Sequence, residues 1–567
     1  MKHGVVLFLV LLLVSTSSSA SQQLELKNFD QLAAQERWQE IVVLAETIPD
    51  RPPSVEYHYG VALAHLERWD EARKVLLAGS RMSSGDKRFP IELAGVDFKQ
   101  KRYVQARQHL RRALQLDPGD SYANDFMATL YFLQGNLEAA VKYWNRVDKP
   151  KLNQVRADPV PHLEAVLLDH AFAFSPASTL TLRELFTSEG RIEGLEIFPV
   201  YHFDLQALPE GKFDLLFRAQ ERNGLGHSTL ERLLTVFRGL PFQEVDPEYF
   251  NLNRHAINIV SLFRWDSEKR RLLASLSGPM RRNPMWRYRL FATLFSENWD
   301  VRESFSGVAP VQAALNLRHE DVSAAITRFF GQHHSWSLGM QISHRDYRNI
   351  VPDGTLDSHL LSPGYELKQI ARLNYELWRV PERRFTVDSC VESQVARIWS
   401  GPPESFTKLQ GCLESRWLPR PQGDDYSMRW RVQAGKTFGQ LPFDELFMLG
   451  MERDNDLWLR AHIGTRGGRK GSAPLGRNYF LSNWETDKNL YRNGIFTLKL
   501  SPFLDTGKIT DTSSTLGSRK WLWDTGIQAK LQVFGVGLAV IYGKDLRTGR
   551  NAFNTTVALS SHSSVSP

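Results

Sequence analysis

The sequence predicts a mixed, multi-domain protein: an α-helical repeat solenoid, then a short α+β element, then a C-terminal transmembrane antiparallel β-barrel of about sixteen strands. Three observations predict it. Small residues recur every 34 positions near the N-terminus, the period changes between Pro161 and Asn223, and from about His255 to Leu559 strand-like runs appear every 12 to 25 residues. A chain of 567 residues also exceeds what one hydrophobic core normally supports, so separate domains are expected.

Lys2 and His3 precede an apolar run from Val5 to Val14, and small residues from Ser15 to Ala20 follow. That is the layout of a secretory signal peptide over residues 1–20. The run is too short to span a bilayer as a helix, which takes about 20 apolar residues. Every later apolar stretch is soon interrupted by Arg, Lys, Asp or Gly, so membrane passage would have to be made by strands.

Ala72, Ala106 and Ala140 lie 34 residues apart, with Trp69, Tyr103 and Leu137 three positions before them and Gly60, Ala94 and Ala128 twelve before. A 34-residue period with small residues where paired helices touch is the tetratricopeptide pattern. The repeat domain is placed at residues 26–150, with Trp38 standing where Trp69 stands in an earlier helix pair. Such a stack presents a concave surface on which polypeptides lie. Tyr57, His58, Asp97 and Tyr131 are its candidate exposed side chains.

Residues 161–223 read as a helix over Leu180–Phe186 and two strands, Leu195–Phe203 and Lys212–Glu221, joined at Leu208-Pro209-Glu210-Gly211. Helix plus hairpin directly before a barrel resembles the end of a polypeptide-transport-associated domain, and only part of one. A linker, residues 228–254, is expected to begin with a helix from Ser228 to Phe237.

The barrel is placed at residues 255–560, with a polar tail at 561–567. Tyr426, Met428, Trp430 and Val432 alternate cleanly with Ser427, Arg429, Arg431 and Gln433. Soluble sandwiches alternate as well. Aromatic side chains at run ends, among them Trp265, Trp286, Trp299, Trp378, Trp399, Trp417 and Tyr542, favour a head-group girdle and hence outer-membrane lipid as the barrel's surroundings. Cys390 and Cys412, the two cysteines of the chain, lie eleven residues either side of Gly401, which makes them cross-strand partners on one polar face and a predicted disulfide.

The tail carries ordered motifs: Leu449-Gly450, Leu459-Arg460, Pro474-Leu475-Gly476 and Phe503-Leu504-Asp505-Thr506-Gly507. These resemble the C-terminal region of the bacterial surface antigen superfamily, which includes Bam-type assembly barrels and two-partner secretion transporters. The resemblance covers about 115 residues well. It departs at the loop tip, where Ala461 and His462 stand in place of Gly and an aromatic. The resemblance implies that the loop folds into the lumen and that its Arg meets the Asp of the later strand, so Arg460 pairs with Asp505. Arg466, before Gly467-Gly468, is the rival. A guanidinium in a narrow lumen is costly alone, and a carboxylate offers it bidentate, charge-assisted hydrogen bonds.

No catalytic residues emerge. GxSxG and HExxH are absent, His333-His334 has no ligand spacing, and Gly464 to Ser472 lacks the spacing of a phosphate loop, so neither metal nor cofactor is expected. The modest net charge of +7, with Arg scattered rather than clustered, argues against nucleic acid. The resemblance implies a non-enzymatic protein in the outer membrane, repeats in the periplasm, that inserts or translocates polypeptides, with the repeats recruiting clients or partners. The alternatives are a passive or polysaccharide-exporting porin and a structural envelope scaffold. A lumen holding the Arg460 tip would favour the first, an open lumen the porin.

Overall fold

A computed structural model describes residues 28–222, 239–240, 243–302, 310–331, 333–351, 356–399, 404–419, 425–493, 496–512, 516–518, 520–533 and 536–559. The expected signal peptide, the helix at Ser228–Phe237, the turn at Gly401-Pro402 and the polar tail lie outside them. The chain divides into two compact units, Met1–Pro150 and Lys151–Pro567.

The first unit is a run of antiparallel helix pairs. Second helices begin at Trp38, Trp69, Tyr103 and Leu137, the positions that the period aligned, and first helices occupy Pro53–His65, Arg88–Lys99 and Ser121–Leu133. Gly60, Ala72, Ala94, Ala106, Ala128 and Ala140 are all buried where helices meet. The turn inside each pair uses a left-handed residue at the same place, Glu36, Glu67, Lys101 and Gly135, with φ of 54°, 59°, 59° and 68°. The concave-face expectation needs correction. Asp97 and Tyr131 are fully buried, Asp97 between Arg73 (3.2 Å) and His109 (3.4 Å), and Tyr131 beneath the Arg107 guanidinium. Polar type alone does not reveal that a buried ion pair is waiting for it.

The second unit opens with a sheet of Lys151–Ala157, Lys212–Gln220 and Val200–Ala207 in that spatial order, the first pair parallel and the second antiparallel. Helices Ala165–Ala171 and Leu182–Leu195 connect the first strand to the second in chain order. The element is thus a strand–helix–helix–strand–strand fold beginning at Lys151, more than the partial element expected from residue 161. The helix also runs on to Leu195 and the next strand starts at Val200, because the Thr181–Glu184 capping box sets the helix start and its apolar positions continue through Ile192. This helix docks on the barrel rim: Arg287 donates to the carbonyls of Gly194 (2.7 Å) and Leu195 (3.1 Å), closing orphan C-terminal acceptors, and Glu196 receives Arg287 (2.9 Å) and Arg289 (2.5 Å).

The rest is a closed antiparallel barrel. Among the described residues hydrogen bonding defines eighteen strands in its sheet, against about sixteen expected; Thr465–Arg466 and Arg469–Lys470 belong to an inner loop, and Glu244–Val245 and Glu248–Leu252 are successive stretches of one edge against Ile257–Trp265. Its longest described strands, Asn283–Arg302 and Val311–Gly331, run to 20 and 21 residues, since paired polar residues extend them beyond their apolar stretches. The wall is inverted relative to a soluble sheet. On His334–Val351, Leu338, Met340 and Ile342 are 57%, 52% and 60% exposed, while the intervening Gln341, Ser343 and Arg345 are 6% or less. Leucine outside and arginine inside is the pattern of a wall facing lipid. Trp265, Trp378, Trp399, Trp417, Trp430 and Tyr542 are exposed on the outer surface. Trp299 is not: it is buried against Phe443, inside. Strand parity decides its direction, and the girdle reading ignored parity.

Candidate functional site

Tyr426–Gly439 pairs directly with Asn478–Arg492, so the segment between them is an excursion from the wall. It re-enters the lumen. Its base is clasped by its own motifs: Phe447–Met448 pairs antiparallel with Leu475–Gly476, and the Leu449 amide donates to the Pro474 carbonyl at 3.0 Å. Leu449 and Leu459 are buried with Phe447, Leu457, Tyr479, Leu481, Ile509 and Leu522. At Gly450 a Cβ would meet Ala473 Cβ at 2.3 Å and the His462 carbonyl at 2.9 Å, which is why the Leu-Gly pair tolerates no side chain there. At Gly507 a Cβ would meet Leu449 Cδ1 at 3.1 Å, a tight contact that a small shift of the leucine side chain would relieve.

At the tip the structure brings Arg460 onto Asp505. Arg460 Nε donates to Asp505 Oδ2 at 2.9 Å and Nη2 to Oδ1 at 2.7 Å, while the Arg460 amide donates to Oδ2 at 3.1 Å. Nη1 reaches Glu485 (2.9 Å) and Gln528 (3.2 Å), and the guanidinium lies 3.9 Å over the Phe503 ring. Asn483 completes the carboxylate at 2.8 Å. Every edge of the guanidinium plane is therefore engaged, as burial demands. Arg466, by contrast, is exposed in the small hairpin Thr465–Lys470. Ala461 needs no positive φ; its amide donates to Asp524 at 2.7 Å, and His462 faces the same carboxylate at 3.0 Å. The wall accepts this backbone because residue 543 is Gly: a Cβ there would meet the Arg460 carbonyl at 2.9 Å.

Sequence reasoning missed three further anchors. Lys470 lies between Glu297 (3.4 Å) and Glu452 (3.2 Å), beside Lys269, which joins Glu297 (2.5 Å) to Asp454 (2.7 Å). Arg453 reaches Glu244 at 2.9 Å. Asp444 accepts from Tyr347 (2.7 Å) and meets Arg345 (3.2 Å), and Glu445 pairs with Lys368 and Lys408. The signal was present as charges on the inward parity of wall strands, but the loop acids that meet them carry no pattern of their own. The lumen is also less uniformly polar than expected: Phe443, Leu446 and Leu475 pack on Leu315, Ile398 and Phe406 at the loop base. A cavity of about 540 Å³ remains, lined by Arg372, Glu392, Lys408, Gln410 and Glu445 among others.

Cys390 and Cys412 face each other in register across adjacent strands and form a disulfide, Cα atoms 5.0 Å apart, whose side chains line the same cavity.

The tetratricopeptide repeat family matches residues 97–157. No curated protein matches the chain. Among solved structures it is similar to BamA from Haemophilus ducreyi lacking POTRA domains 1–3, at 11% identity over 72% of this chain and 84% of that one, TM-score 0.41. It is similar to CdiB from Escherichia coli at 14% identity, covering 72% and 75%, TM-score 0.46. It is also similar to CdiB from Acinetobacter baumannii at 11% identity, covering 72% and 73%, TM-score 0.43.

Proposed function

We propose that this chain is an outer-membrane barrel that inserts or translocates polypeptides, with its helical repeats in the periplasm recruiting clients or partners. The observation that carries the reading is the loop that occupies the lumen with Arg460 seated on Asp505. A passive pore gains nothing from filling its own channel with a buried, fully paired loop. A machine that must stay closed until a client arrives does. Ion pairs spread around the loop can be exchanged a few at a time, whereas one large apolar plug could not be.

The edge of the barrel supports the same reading. Glu244–Val245 and Glu248–Leu252 pair with Ile257–Trp265 through an interrupted register, and this edge neighbours the last strand, Asn551–Leu559, in the closed order. A short, broken strand is the easiest place to open a wall, because few hydrogen bonds must be replaced.

The test is made in cells lacking the chain, complemented with wild type or Arg460→Ala, by quantitative proteomics of outer-membrane and secreted fractions. The account expects particular barrel or secreted polypeptides to vanish without the chain, to return with wild type, and to remain depleted with Arg460→Ala. Loss of an exported polysaccharide with an unchanged protein profile would contradict it.

A further inference from the structure

Beside the Arg460 pair, three potential metal-ligating side chains from three elements converge: His462 of the loop, Asp524 near the start of Leu522–Val533 and Asp545 at the end of Val536–Asp545. All three are buried, and one donor atom from each lies within 4.8 Å of the others. His462 Nδ1 is 3.0 Å from Asp524 Oδ2, and Nε2 is 3.9 Å from Asp545 Oδ2. We propose that these residues bind a divalent cation of the zinc class, which fastens the loop tip to two wall strands.

An unpartnered buried atom points to a cation. Asp524 is fully buried, yet its Oδ1 accepts no hydrogen bond, leaving a carboxylate lone pair uncompensated where an unpaired acceptor is expensive. The three side chains also come from three separate elements, and the Arg460 guanidinium at the tip is committed to Asp505 and Glu485, not to them. One imidazole and two carboxylates form a mixed nitrogen and oxygen set suited to Zn²⁺, with bonds of about 2.0–2.2 Å that small side-chain rotations would reach. The carboxylates are oriented from behind, as ligands are. Asp524 receives the Ala461 amide at 2.7 Å, and Asp545 receives the Arg547 amide at 2.9 Å and the Thr548 hydroxyl at 2.5 Å. The consequence is a second lock on the tip that responds to metal rather than to a client.

The full chain, purified in detergent, stripped with chelator and confirmed folded by heat-modifiable gel migration, is titrated with Zn²⁺ by calorimetry, with metal content read by mass spectrometry. Wild type is expected to take up one tightly held Zn²⁺ per chain, and both His462→Ala and Asp545→Asn to lose it. Wild type taking up no stoichiometric metal would overturn the proposal, as would undiminished uptake by the two folded variants. Should the variants fail to fold, Co²⁺ added to stripped wild type decides: an absorption band displaced by one equivalent of Zn²⁺ supports the site, and its absence overturns it. Metal uptake is indifferent to whether the barrel handles polypeptides, so either proposal can fail alone.

Discussion

Arg460 and Arg466 lie six residues apart on one loop and differ in environment: Arg460 is buried on Asp505, and Arg466 is exposed. Replacing Arg460 with Ala leaves Asp505 buried without its counter-charge, held only by Asn483 and the backbone amide of residue 460, a loss of about 3–5 kcal/mol from the loop–wall contact. Arg466→Ala, at an exposed position, should change stability by no more than about 0.5 kcal/mol. Urea unfolding of the two variants, followed by gel mobility of the folded barrel, should separate them clearly; equal effects would remove Arg460 from its assigned place. Gly543→Leu should act like Arg460→Ala through sterics, since its side chain would enter the space of the tip backbone, and protease susceptibility within the loop would report it. Arg460 and Asp505 were legible in sequence because each sits in a spaced motif. Lys470, Asp454, Asp444 and Glu445 were not, since a long loop's path across a lumen depends on the closed wall, which no local pattern encodes.

At the scale of elements, the repeat turn makes the plainest prediction. Glu67 and Lys101 hold a left-handed conformation that Gly135 adopts without strain. Lys101→Gly should therefore stabilise the repeats, or at worst leave them unchanged, by up to about 1 kcal/mol, and Gly135→Ala should destabilise them by a similar amount. Chemical denaturation of residues 26–150 alone measures both. The same unit should weaken in mild acid. Burial pushes the His58 imidazole below its ordinary pKa, against the opposing pull of Asp30 and alongside Arg88. Burial likewise lowers His109, despite Asp97, with Arg73 nearby. Because the folded state binds these protons less readily than the unfolded chain, their stabilisation is present above about pH 6.5 and is lost as pH falls through it. Denaturation midpoints at pH 7.5 and 5.5, compared with a His58→Gln, His109→Gln variant, isolate this slope from other titrations such as that of Glu92, which burial shifts upward. No difference in slope would contradict the assignment. The positions that the period aligned, Trp38, Trp69, Tyr103 and Leu137, turn out to open the second helices, whereas the first strand of the α+β element, Lys151–Ala157, was missed: its pattern is mixed, and it becomes a strand by pairing parallel with Lys212–Gln220 far along the chain.

For the whole molecule, strand alternation announced a sheet with two unlike faces, and only the inversion of those faces, apolar outside and polar within, gives the pattern of a wall facing lipid. The sequence could not show whether the lumen is plugged, because that depends on pairs such as Lys470–Glu297 and Arg345–Asp444 meeting across the interior. Those pairs now make the claim testable on a single molecule. The most direct measurement is single-channel conductance in planar bilayers, comparing wild type with a chain in which residues 451–473 are replaced by a short Gly-Ser turn. The account predicts small, flickering currents from wild type and large, steady steps from the loopless chain. Large, steady steps of equal size from both, or wild type that remains a monodisperse monomer in detergent-free buffer and never enters the bilayer, would contradict it.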